Sequence, residues 1–197
     1  MNLLTAKRAT VKSLPADAED RELATRLARG EPGAFDELVE RYAARVIGLA
    51  TRLLGWSRGG DDVAQDVFLA ALEKKGAFRG EARLWTYLAA ITVNRCRTVR
   101  RRRWLHDRLL RAVAPRGGRP SEATAPCDVD ETGRAVRAAI ALLPTTYREV
   151  VILRYLDEMT INQVADVLSL RRNAVEARLS RARKLLEQSL GHLAEEL

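Results

Sequence analysis

The chain has 197 residues, 47% of them hydrophobic but only 5% aromatic, which supports one helical domain or two small ones rather than a sheet protein. A formal net charge of +8 points toward a polyanionic partner. Two cysteines (Cys96 and Cys127) and no apolar run of bilayer length exclude a disulfide scaffold, an all-cysteine zinc site and membrane insertion, and make reduced thiols in the cytoplasm the simplest expectation.

Taken in chain order, residues 1–29 are expected to be a tail and lead-in, without periodicity as far as about Asp20. Gly30-Glu31-Pro32-Gly33 then breaks the chain before a long amphipathic helix through Phe35, Leu38, Val39, Tyr42, Val46, Leu49, Ala50 and Leu53, which Gly55 and Gly59-Gly60 end. A second helix carries Val63, Val67, Ala70 and Ala71. Asp61 and Asp62 acidify its first turn, where the helix dipole favours negative charge. After a loop bracketed by Gly76 and Gly80, a third helix is predicted from about Glu81 to Arg103. The Pro- and Gly-rich stretch Ala114 to Pro126 reads as the heart of a flexible linker, taken as 105–131. A helix from about Thr132 then presents Val136, Ile140 and Leu143 on one face, and Pro144 suits the start of the next, reaching about Leu156.

Beyond this point the pattern is most specific. Ile161, Val164, Ala165 and Leu168 form one short apolar stripe, Val175, Leu179, Ala182 and Leu186 a second, and only Ser169 to Asn173 joins them. Two short helices with so tight a joint read as a helix-turn-helix, whose second helix enters the major groove. Arg178, Arg181, Arg183 and Lys184 decorate that helix, with Arg171 and Arg172 at its entrance. The expected architecture is therefore all-α: two small helical units, 30–104 and 132–191, on a mobile linker.

Charge is segregated along the chain. Six arginines and no acid lie between Arg95 and Arg103, and four acids and no base between Asp61 and Glu73, which suggests two surfaces for two partners. Asp62, Gln65 and Asp66 are three or four apart and share a helix face, able to steer a basic helical partner, with Phe68 either anchoring it or buried in the core.

Four segments, in this order, carry a family resemblance: GEPGAFDELVERYAARVIGLATRLLG with DDVAQDVFLAALE, FRGEARLWTYLAAITVNRCRTVRRR, LPTTYREVVILRY, and the helix-turn-helix running into RLSRARKLL. The chain resembles a bacterial RNA polymerase sigma factor of the extracytoplasmic-function group, over nearly everything from Gly30 to Leu190 except the linker. The resemblance implies a protein that binds polymerase core and directs it to promoters. Asp61, Asp62, Gln65, Asp66 and Phe68 would meet the coiled-coil of the largest polymerase subunit.

The same resemblance places reading and opening of the −10 element on Phe78, Trp85, Tyr87, Asn94, Arg95, Arg97, Arg100 and Arg101. Stacking of exposed bases on aromatic rings recovers roughly 1–3 kcal/mol per base, although at least one of these rings is expected in the core. The family has tryptophan where Tyr87 stands and phenylalanine where Leu84 stands, so the stacking ring stays open. Consecutive arginines point all round a helix and suit phosphates better than bases. Reading of the −35 element falls to Arg171, Arg172, Asn173, Ala174, Glu176, Arg178 and Arg181. A hydroxyl cap usual near Ala174 is missing, so Asn173 would have to replace it. Glu176 would accept from a cytosine amino group or pair with nearby arginines. The resemblance further implies double-stranded and melted promoter DNA as ligands and an anti-sigma factor that holds the protein inactive, in the cytoplasm or at the membrane.

Two other classes of function compete with this one. A stand-alone helix-turn-helix regulator explains the C-terminal half and leaves the acidic helix without a purpose. A DNA-processing enzyme needs clustered metal carboxylates or a nucleophile with its base, and the only histidines are His106 and His192. No enzyme activity, cofactor, metal or small-molecule substrate is expected.

Overall fold

The computed structural model describes residues 17–73, 84–113 and 131–195, and regular structure among them is entirely helical. The helices are α1 (Asp17–Arg29), α2 (Ala34–Leu53), α3 (Gly60–Glu73), α4 (Leu84–Val113), α5 (Glu131–Leu142), α6 (Thr145–Val151, running on through a π-helical turn at Ile152–Leu156), α7 (Ile161–Leu168) and α8 (Arg172–Glu195). None is long and apolar enough to cross a membrane.

α1 to α4 form the first bundle. The α2 stripe Leu38, Tyr42, Val46, Leu49 and Leu53 is wholly buried, as its period of three to four requires. Gly33, at φ 78° before α2, takes a left-handed conformation that glycine adopts without strain. Gly60 opens α3 directly against α2, where a Cβ would overlap the Thr51 hydroxyl and lie 3.1 Å from the Ile47 carbonyl oxygen. Cys96 is buried, its Sγ 3.8 Å from the Ala50 carbonyl oxygen, and burial pushes its thiol up to about 12, which keeps it protonated and inert.

Two differences from the sequence reading stand out. Part of the expected lead-in is helix: α1 buries Leu23 and Ala24, and the Tyr42 hydroxyl donates to Asp20 Oδ2 at 2.7 Å. Asp20 therefore belongs to an anchored helix. The third predicted helix, expected to stop near Arg103, continues as α4 to Val113, ten residues further and nine into the expected linker. Residues 101–109 are exposed on all sides, so this end projects beyond the bundle.

α5 to α8 form the second bundle around Ile140, Val150, Val151, Ile152, Leu153, Val164, Leu168, Val175 and Leu179. The two bundles touch, and one apolar cluster runs through both. Across the joint, Glu149, 2% exposed, receives both arms of Arg97, at 2.9 and 2.7 Å. Arg52 donates to Asp157 Oδ1 at 2.8 Å, and Arg100 donates to the Thr145 hydroxyl. The π-helical turn, closed by Asp157 N–H on the Ile152 carbonyl at 3.0 Å, brings Asp157 to this joint.

Candidate nucleic-acid interface

The helix-turn-helix is built as its stripes dictate. Thr160 opens α7 with a capping box: its hydroxyl accepts from the Gln163 N–H at 3.3 Å, and its own N–H donates to Gln163 Oε1 at 2.8 Å. Ser169 closes α7 at φ 53°, a left-handed residue held by its N–H on the Asp166 carbonyl at 3.2 Å. α8 then starts at Arg172. The Arg171 carbonyl accepts from Ala174 and Val175 N–H at 2.9 and 3.2 Å, so Arg171 stands at the cap. Asn173 lies inside the first turn and does not replace the missing hydroxyl.

Val175, Leu179 and Ala182 point inward, so the opposite face of α8 carries Asn173, Ala177, Ser180, Arg181 and Lys184, all exposed. Arg171 and Arg172 are exposed at its entrance and Ala174 is half-buried. Arg178 does not share the outer face: it lies one turn from Arg181 but beside the stripe, and is half-buried. Glu176 is exposed and bound to Arg172 Nε at 2.9 Å, so its ion-pair alternative is realised in this arrangement.

α4 presents the basic face. Asn94 is exposed, with Arg97 Nη1 3.4 Å from its side-chain oxygen. Arg101 is free of the bundle, whereas Arg95 is half-buried and Arg97 and Arg100 are engaged by Glu149 and Thr145. The hydrogen bonds that Arg97 donates to Glu149 raise it above the ordinary arginine range. Helix periodicity alone could not reveal that the second bundle takes up two of the predicted DNA-facing arginines.

The aromatic residues divide. Trp85 is core, 5% exposed, with the Tyr42 ring parallel at 6.2 Å and the Arg45 guanidinium 4.0 Å above its face. It cannot stack on a melted base while so enclosed. Tyr87 is half-buried and lines an apolar cavity with Leu27, Phe35 and Leu84, burial raising its hydroxyl. Phe78 lies outside the described residues.

α3 carries the acidic face. Asp61, Asp62, Gln65 and Asp66 are all exposed. Phe68, by contrast, falls on the inward stripe with Val63, Val67 and Ala71 and meets Phe35 edge-on at 6.5 Å, so it is no anchor for a partner. The apolar residue beside the acids is Leu69, 58% exposed, which the sequence reading missed. Its position four after Gln65 and three after Asp66 could have found it.

The sequence matches the Sigma-70 region 2 family model over residues 38–106 and the Sigma-70, region 4 model over 133–186. The ECF RNA polymerase sigma factor SigM of Mycobacterium tuberculosis is 31% identical over 178 residues, 90% of this chain and 87% of that protein. The RNA polymerase sigma-H factor of Pseudomonas aeruginosa is 28% identical over 200 residues, 90% of this chain and 97% of its own. Among solved structures, CnrH in complex with the cytosolic domain of CnrY matches with a TM-score of 0.63 at 29% identity, covering 88% of this chain and 97% of that one. The sigma factor RpoE of Bartonella quintana, in complex with the anti-sigma factor NepR, shares the fold at a TM-score of 0.64 and 20% identity, over 79% of this chain and 97% of that one. The region 2 match thus falls on α2–α4 and the region 4 match on α5–α8, and the chain belongs to the extracytoplasmic-function sigma factors, which initiate transcription with bacterial RNA polymerase and are not enzymes.

Proposed function

We propose that this sigma factor divides its work among three helix faces. α3 meets core polymerase through Asp61, Asp62, Gln65, Asp66 and Leu69. α4 takes the −10 element through Asn94, Arg95 and Arg101, joined by Arg97 and Arg100 once region 4 moves off them. α8 reads the −35 element through Arg172, Asn173, Glu176 and Arg181, with Arg171, Ala174 and Arg178 bordering the groove. Tyr87, rather than the enclosed Trp85, is the described aromatic residue left to border strand opening. The protein acts in the cytoplasm, and an anti-sigma partner holds it inactive there or at the membrane.

The observation that carries this reading is the pairing of an exposed acid-and-leucine stripe on α3 with separate basic faces on α4 and α8. A stand-alone regulator has no use for the first. Reversing charge in Asp62→Lys/Asp66→Lys removes the steering acids from a solvated face, so the fold should survive and holoenzyme assembly should fail. Pull-down of core polymerase by the folded double variant at wild-type strength would remove α3 from this role.

A further inference from the structure

We infer that the DNA-facing stripe of α4 continues beyond the −10 contacts, and that Trp104 and Arg108 on its projecting end grip the backbone of double-stranded DNA just upstream of the −10 element. The inference rests on the reading of α4 as the −10 helix and extends its footprint.

Helical phase sets the geometry. Asn94, Arg101 and Arg108 follow at intervals of seven and share one line, with Arg97 and Trp104 on the adjacent line. Arg103 fixes which way this line faces. Its guanidinium reaches back to the α2–α3 turn, 3.1 Å from the Ser57 hydroxyl and 3.0 Å from the Arg58 carbonyl, so the stripe looks away from that turn. Nothing in the described fold covers the helix over residues 101–109: Trp104 is 56% exposed, and Arg101 and Arg108 are exposed beside it. Region 4 occupies the stripe at Arg97 and Arg100 and leaves the end open.

Charge selects the partner. From Asn94 to Val113 there are eight arginines and one acid, Asp107, a composition that repels basic surfaces and suits phosphate. The Arg108 guanidinium sits over the Trp104 ring at 5.3 Å, a cation–π contact that sets an exposed cation beside an exposed ring. Such a ring lies flat on deoxyribose while its N–H donates to a phosphate, contacts that position a protein without reading sequence.

Direction follows from connectivity. The C-terminal end of α4 leads toward region 4 and the −35 element, which is upstream, where the DNA remains paired. From Asn94 to Arg108 the helix rises ~21 Å at ~1.5 Å per residue, which spans about six base pairs at ~3.4 Å each.

The test uses the full chain assembled with core polymerase and a promoter recovered by selection with that holoenzyme. Two fork probes are compared, one with a long duplex upstream of the −10 element and one cut at its upstream edge. Trp104→Ala/Arg108→Ala should lose roughly tenfold affinity for the long probe and flatten its log–log salt dependence by about one, with the short probe unaffected. Trp104→Ala alone should lose several-fold at unchanged slope. Equal losses on both probes, or no loss on the long one, overturn the upstream contact while the −10 reading stands. Failure of the double variant to assemble with core overturns it in favour of a protein-docking face. A wild-type holoenzyme that binds neither probe overturns both readings.

Discussion

Trp85 sits where an opened strand was expected to find a ring, yet its indole is a structural part held from two sides. Tyr42 lies parallel to one face, Arg45 covers the ring, and the Tyr42 hydroxyl is fixed in turn by Asp20. Burial lowers Arg45 below the usual arginine range, and burial with the Asp20 hydrogen bond holds the Tyr42 hydroxyl protonated, so it stays a donor to Asp20. Trp85→Ala should therefore destabilise region 2 by about 3–5 kcal/mol through the cavity it opens, and Trp85→Phe should recover much of that. Thermal unfolding measures both effects, and at a temperature where both variants are folded the permanganate reactivity of the promoter should match that of the wild type. An opening defect in a variant of wild-type stability would return the ring to DNA.

At the scale of the element, α8 separates two kinds of contact. Arg181 stands on the outer face with no acid bound to it among the described residues, so Arg181→Ala should weaken binding on all −35 sequences and reduce the salt slope by about one. Glu176 lies near the start of α8, the part of a recognition helix that usually reaches base edges, and is tied to Arg172, so Glu176→Lys should change one potential base contact and release a second. Selection from a randomised −35 library should yield a new preference, and an unchanged preference would leave Glu176 as an ion-pair partner only. The elements that bury an apolar stripe, α2, α7 and the first half of α8, were legible because periodicity reports burial directly. α1 was not legible: its opening is almost wholly polar, and it is fixed by Asp20 reaching Tyr42 twenty-two positions away. Residues 104–109 of α4 are all exposed and so leave no stripe to read. Phe68 does lie on a buried stripe, but it borders the acidic face in sequence, and only the fold could assign it to the inner of these two adjacent faces.

For the whole molecule, the decisive relation is between regions 2 and 4, whose partners lie too far apart in sequence for any pattern to join them. Elements named for −35 and −10 are centred about 25 base pairs apart, roughly 85 Å at ~3.4 Å per base pair. Bundles in contact cannot reach both. The 17 residues between Val113 and Glu131 extend to about 60 Å at most, enough with the helices themselves to let the regions part. Parting must break the two-armed Arg97–Glu149 pair, and this also frees Arg97 for phosphate. Glu149 and Asp157 differ as locks. Glu149 meets Arg97 with both oxygens, at 2.9 and 2.7 Å. Asp157 meets Arg52 with one, its Oδ2 is buried without a hydrogen-bond partner, and burial raises its carboxyl despite Arg52 and Arg45. Its charge is thus poorly compensated, so removing it relieves part of a desolvation cost. Glu149→Gln, close in shape, should weaken the contact by about 1–3 kcal/mol, a shift of roughly 5- to 150-fold toward the parted form. Asp157→Asn should shift it less. Distances between dyes on exposed positions of the two regions, read in the free protein without DNA, give both populations. A larger opening in Asp157→Asn than in Glu149→Gln would make the Arg52 pair the main lock and leave Arg97 available to DNA throughout.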